Sequence, residues 1–172
     1  MKKTILVAIV ATTLFACSAP AENKGDATVS GTAATATGAS SCVKEGSDVD
    51  LIKKTITAYS TGDWATLSTC FVDTAKSYHN NDTVAMKMSD RIELFKKTRE
   101  NIEGAVDSGT PNIEVVTVAN TNPLYEGIKW GHAWITFTSK VKGGAKKSSL
   151  TFVSFAIKDG KILQEQVIYD TK

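Results

Sequence analysis

Reactive side chains are scarce in this chain. Its 172 residues contain two histidines, His79 and His132, and three cysteines, Cys17, Cys42 and Cys70. His79 lies in AKSYHNND, between a helix-like run and a loop. A neutral imidazole is a competent base near pH 7, so His79 is the candidate base; its other reading is a packed residue at a strand end. A metal centre needs about three ligands in fixed geometry. The histidines are far apart and no H-x-x-x-H or C-x-x-C spacing occurs, so neither a metal nor a cofactor is expected. Cys70 falls on the apolar face of a helical pattern and reads as a buried, inert thiol rather than a nucleophile. A disulfide between Cys42 and Cys70 is a candidate cross-link, since an oxidising compartment permits one.

These residues need elements to hold them. SDVD, Ser47 to Asp50, has the form of a capping box. Val49, Ile52, Ile56 and Tyr59 follow on one helical face, and Gly62 suits the stop. Asp63 caps a second helix with Trp64, Leu67, Cys70 and Phe71 on one face. AKSYHNN reads as a short strand. Asp90 and Glu93 open a third helix carrying Ile92, Phe95, Ile102 and Val106, which Gly109 and Pro111 end. IEVVTVAN, KWGHAWITFTSKV, SSLTFVSFAI and KILQEQVIYD are rich in β-branched and aromatic residues and read as strands. KDGK and the Gly143–Gly144 pair mark hairpin turns. In WGHAWITF, Trp130, His132, Trp134 and Thr136 alternate with Gly131, Ala133, Ile135 and Phe137, so one set faces the core. The fold class is α+β, with three N-terminal helices packed on one face of an antiparallel sheet.

The start of the chain reads as a cell address. Lys2 and Lys3 precede ILVAIVATTLF, an apolar run too short to span a bilayer stably. LFAC, Leu14 to Cys17, resembles the lipobox of bacterial lipoproteins. That resemblance implies a signal peptide over residues 1–16, cleavage before Cys17, and a diacylglycerol on its sulfur. Residues 17–46 then form a tether, rich in Ala, Ser, Thr and Gly and unable to bury enough apolar surface to order itself. A domain follows over residues 47–172. The expected location is the cell envelope, anchored to a membrane through Cys17 and facing the periplasm. The full chain carries 20 basic and 18 acidic side chains. Removing Lys2 and Lys3 leaves 20 − 2 = 18 against 18, a net of zero. That balance gives no global basic field for nucleic acid.

TGDWATLSTCFVDTAKSYHNND, Thr61 to Asp82, and the closing hairpin DGKILQEQVIYD, Asp159 to Asp170, resemble the nuclear transport factor 2-like, or SnoaL-like, superfamily. The resemblance covers roughly Val49 to Asp170. It implies a curved antiparallel sheet wrapped around three helices as a cone with a pocket. The superfamily contains isomerases, dehydratases, epoxide hydrolases and polyketide cyclases as well as non-enzymatic adaptors, so the fold leaves function open. Counting from Asp63 and from the last hairpin places the three catalytic positions of its ketosteroid isomerases at Thr55, His79 and Val153. Valine cannot donate to an oxyanion, and threonine is a poorer donor than a phenol. Ketosteroid isomerisation is therefore not expected. The leading expectation is an envelope lipoprotein that binds a small, largely apolar molecule without turnover, walled by Tyr59, Trp64, Phe71, His79, Phe95, Trp134 and Phe155. The alternatives are a cyclase, dehydratase or isomerase with His79 as base, or a protein-interaction module. The outer sheet face is the candidate surface for a homodimer.

Overall fold

The computed structural model describes residues 41–80, 82–117 and 122–170. The expected signal peptide, the lipidated Cys17 and nearly all of the tether lie outside the described residues. Helix α1 (Ser47–Thr61), helix α2 (Trp64–Thr69) and helix α3 (Met88–Glu100) accompany strands β1 (Ser41–Val43), β2 (Phe71–His79), β3 (Met86–Lys87), β4 (Asn112–Thr117), β5 (Lys129–Lys140), β6 (Lys146–Lys158) and β7 (Lys161–Tyr169). The strands form one sheet in the order β1-β4-β5-β6-β7-β2-β3. The architecture is α+β, as the sequence implies, but the sheet is mixed. Strand β2 runs parallel to β7 while every other neighbouring pair is antiparallel. A long excursion through the whole of the chain from β2 to β7 makes a parallel pairing possible without a tight turn.

Local chemistry explains most of the helix ends. Gly62 takes the left-handed conformation (φ 76°) that closes α1. The Asp63 side chain accepts the Thr66 backbone N–H at 3.0 Å and starts α2. Helix α1 itself begins at Ser47 with Gly46 as its cap and no side-chain cap bond, so the SDVD capping box does not form. Helix α3 begins earlier than Asp90, with Lys87 as its cap. It also ends at Glu100 rather than running to Val106. Ile102 and Asp107 instead bridge to Val141 and Thr138 at the end of β5, where sheet hydrogen bonds replace helical ones. Phe71 leaves the second helix and opens β2. The tether's last residues, Ser41–Val43, pair with β4, so the ordered domain starts before residue 47. Asp159 and Gly160, both at positive φ, form the turn expected of KDGK.

The core lies between α1, α2 and the inner sheet face. Val49, Ile52, Ile56, Leu67, Ala133, Ile135, Phe155, Ile157 and Ile162 are all buried there. At Gly131 a Cβ would lie 2.3 Å from Ile52 Cδ1 and 3.2 Å from Ile157 Cδ1. The missing side chain is what lets α1 rest on β5. Cys70 is a free, buried thiol. The expected Cys42–Cys70 disulfide is therefore corrected: Cys70 turns into the core at the end of α2, its Sγ 3.4 Å from the Thr66 carbonyl.

On the outer face of β5, His132 stacks on Phe152 with ring centres 5.7 Å apart, and Trp134 meets Phe152 at 5.3 Å. Burial lowers the His132 pKa, and Glu114 on the neighbouring strand opposes it. The folded state thus resists protonation of His132 more than the unfolded chain does, which binds a proton below pH about 6.5. Stability from this group is fully present above that pH and falls as pH drops toward the folded pKa. Replacing His132 with Gln is expected to flatten the pH dependence of urea unfolding on the acid side of pH 6.5; an unchanged slope would remove His132 as its source.

Candidate functional site

The open end of the cone encloses a cavity of about 440 Å³, lined mostly by apolar side chains from α1, α3 and strands β5 to β7. That size falls within the usual range for small-molecule sites. Strand alternation decides which side chains enter it. On β2, Ala75 and Ser77 are buried and His79 follows on the same face. On β7, Glu165 sits directly beside Ser77 in the parallel register, and Val167 sits beside His79. Glu165 is only 5% exposed.

These pairings bring three polar groups together. Ser77 Oγ donates to Glu165 Oε1 at 2.7 Å. His79 Nε2 stands 3.6 Å from the same oxygen. That separation is beyond a hydrogen bond, and Nε2 has no hydrogen-bond partner among the described residues. A small shift of the imidazole would close the pair. The Tyr59 phenol pKa is raised, first by burial and then by the charge of Glu165. Tyr59 therefore stays protonated across the physiological range and can donate a hydrogen bond.

The backbone under His79 is clipped from outside. Asp82 accepts the His79 N–H at 2.9 Å and Arg91 Nη2 at 2.7 Å. These bonds, the His79 amide first and the Arg91 guanidinium next, hold the Asp82 carboxyl below its usual pKa. Asn80 takes a positive φ of 46° and accepts the Tyr169 N–H, tying the end of β2 to β7. Arg91, on α3, is buried and forms part of the cavity wall.

Of the seven residues expected in the ligand wall, the structure brings four to the cavity. Tyr59, His79, Phe95 and Phe155 line the cavity. Trp64, Phe71 and Trp134 do not. Trp64 stands behind Tyr59, ring edge to face at 6.4 Å. Phe71 is core at the start of β2, and Trp134 points to the outer sheet face. Thr55, His79 and Val153, the three positions carried over from the isomerases, all face the cavity. The Thr55 hydroxyl is used within α1, donating to the Leu51 carbonyl at 2.8 Å. Glu165 is the residue that sequence reasoning missed. Alternation counted back from Tyr169 through Val167 would have placed it on the inner face. Among the described residues no three His, Cys, Asp or Glu side chains cluster to hold a metal, and no helix there is long and apolar enough to cross a membrane.

No protein-family model matches the sequence, and no curated protein does. Solved structures do resemble the chain. One is an NTF2-like protein from Burkholderia xenovorans LB400, with a TM-score of 0.53 at 13% identity, covering 73% of this chain and 90% of that one. A putative polyketide cyclase from Xanthomonas campestris pv. campestris gives 0.56 at 13% identity, covering 72% and 90%. A putative SnoaL-like polyketide cyclase from Shewanella denitrificans OS-217 gives 0.54 at 12% identity, also covering 72% and 90%. The chain has the nuclear transport factor 2-like fold.

Proposed function

We propose that the cone binds a small, largely apolar molecule with one polar end, and that this end meets Glu165, His79 and Tyr59. The observation that carries this reading is an apolar cavity of about 440 Å³ whose polar groups converge at one place. Polar groups gathered at one point fix a ligand's orientation, while the apolar walls supply most of its affinity. A ligand at one hundred times its dissociation constant stabilises the fold by about 2.7 kcal/mol. Screening small apolar compounds by thermal unfolding is thus expected to find members that raise the midpoint by several degrees. Val153→Trp, which fills the cone, is expected to cancel the rise; a rise that persists in that variant would place binding elsewhere.

Proton transfer is the second reading, favoured by one specific observation. His79, the candidate base, has a buried carboxylate within 3.6 Å of its Nε2. A carboxylate beside an imidazole orients it and stabilises its protonated form. Such a pair suits a cyclase, dehydratase or isomerase reaction that moves one proton to or from carbon or oxygen. Binding without turnover and proton transfer share this site and differ only in what the pair does there.

The location belongs to the same proposal. The basic start, the apolar run and LFAC support an anchor at Cys17 in the cell envelope. Cys17→Ser is expected to move the protein from the membrane fraction to the soluble fraction; an unchanged distribution would remove the lipid anchor.

A further inference from the structure

The charge of the cavity narrows the ligand class. Its ionisable wall residues, apart from the tyrosines, are Glu165, Arg91 and His79. Arg91 is engaged by Asp82 at 2.7 Å. Glu165 has no Lys or Arg within ion-pair distance among the described residues; its contacts are the Ser77 hydroxyl and the imidazole. Glu165 is thus the one carboxylate of the cavity wall among the described residues. A buried carboxylate without a cationic partner is costly, and a cation entering the cavity would offset that cost.

The rings that line the same cavity as Glu165 suit such a cation. Tyr59 meets Phe95 at 4.9 Å and 75°, and Phe137 at 5.3 Å and 68°. His79 lies 5.7 Å from Phe95 and 6.0 Å from Tyr169, the latter at 78°. Steep angles between close rings set them as adjoining walls rather than as a stack. All of them line the cavity. Aromatic faces around a carboxylate attract an alkylated ammonium through their quadrupoles, and the methyl groups need no hydrogen-bond acceptors. Burial first and then the charge of Glu165 raise the Tyr59 pKa, while the charge of Arg99 lowers it, so the phenol lies within reach of both charges. Among the described residues no three His, Cys, Asp or Glu side chains gather here to hold a metal ion. A carboxylate ligand would face Glu165 across the cavity, with Arg91 already paired.

We propose that the cavity selects an organic cation, a tertiary or quaternary amine with an apolar body, held by Glu165 and the Tyr59–Phe95–Phe137 rings. This inference rests on the reading of the cone as a small-molecule site and adds the ligand's charge to it. The test is calorimetric titration of the full chain with phenyltrimethylammonium, its neutral isostere tert-butylbenzene, and benzoate. The cation is expected to bind at least tenfold more tightly than the isostere. Glu165→Gln keeps the shape of the side chain and leaves Ser77 an oxygen to donate to. In that variant the preference is expected to shrink to about threefold or less. Tyr59→Leu is expected to weaken the cation more than the isostere. An isostere that binds as well as the cation overturns the charge assignment but leaves the cone as a binding site. Tightest binding by benzoate overturns it in favour of Arg91. A preference that survives Glu165→Gln also overturns it. Failure of all three probes to bind removes the cation proposal and counts against the cone as a ligand site.

Discussion

Phe155→Ala is expected to destabilise the fold by about 3–5 kcal/mol, the usual range for truncating a fully buried phenylalanine. Phe155 is 2% exposed and sits on the inner face of β6, between Gly131 on one neighbouring strand and Glu165 on the other. It is thus shared between the core under α1 and the floor of the cavity. Removing its ring deletes buried apolar area and merges the vacated space with the existing cavity, so the surroundings cannot collapse to fill it. Urea unfolding monitored by circular dichroism measures the loss. A loss below about 1 kcal/mol would mean that the ring is not packed between the two layers as described.

His79→Ala is expected to lower turnover by about 10²–10⁴-fold for any substrate whose reaction uses the pair, the usual contribution of a positioned acid or base. Glu165→Gln is expected to follow it, because the amide keeps the Ser77 contact while removing the charge that stabilises the imidazolium. The two effects should not add, since Glu165 acts through His79. Steady-state kinetics on both single variants and the double variant checks this. The loss should fall on kcat, with KM changed little. Unchanged turnover in His79→Ala would leave the cone as a binding site alone, whereas fully additive losses would mean that the two residues work independently.

Both predictions depend on positions that the sequence reveals unevenly. His79, Thr55 and Val153 were legible through the resemblance, by counting from Asp63 and from the last hairpin onto the positions that face the pocket in the superfamily's isomerases. All three reach the cavity. Glu165 was hidden by a bulge. In the β6–β7 pairing, Ile157 faces Ile162 while Ala156 faces Gln164, so Leu163 is an extra residue. Counting by twos from the buried Ile162 sends Glu165 outward; one extra residue reverses the parity and turns it in. Trp64, Phe71 and Trp134 were misplaced for a different reason. Aromatic character marks burial but does not say whether the buried side looks into a cavity, a core or a neighbouring ring.

The sequence by itself determined the α+β plan, the helix stops and turns at Gly62, Asp63 and Asp159–Gly160, and the cone's polar position at His79. The helix stops and turns follow from local backbone preference and short-range periodicity, which act over a few residues; the position of His79 follows from the resemblance to the superfamily. Only the tertiary structure decided that Glu165 stands beside His79, that Cys70 is a free core thiol, and that rings from α1, α3 and β5 meet in one cavity wall. Those contacts join residues far apart in the chain. Sheet register and one bulge fix them, and neither leaves a mark on local composition.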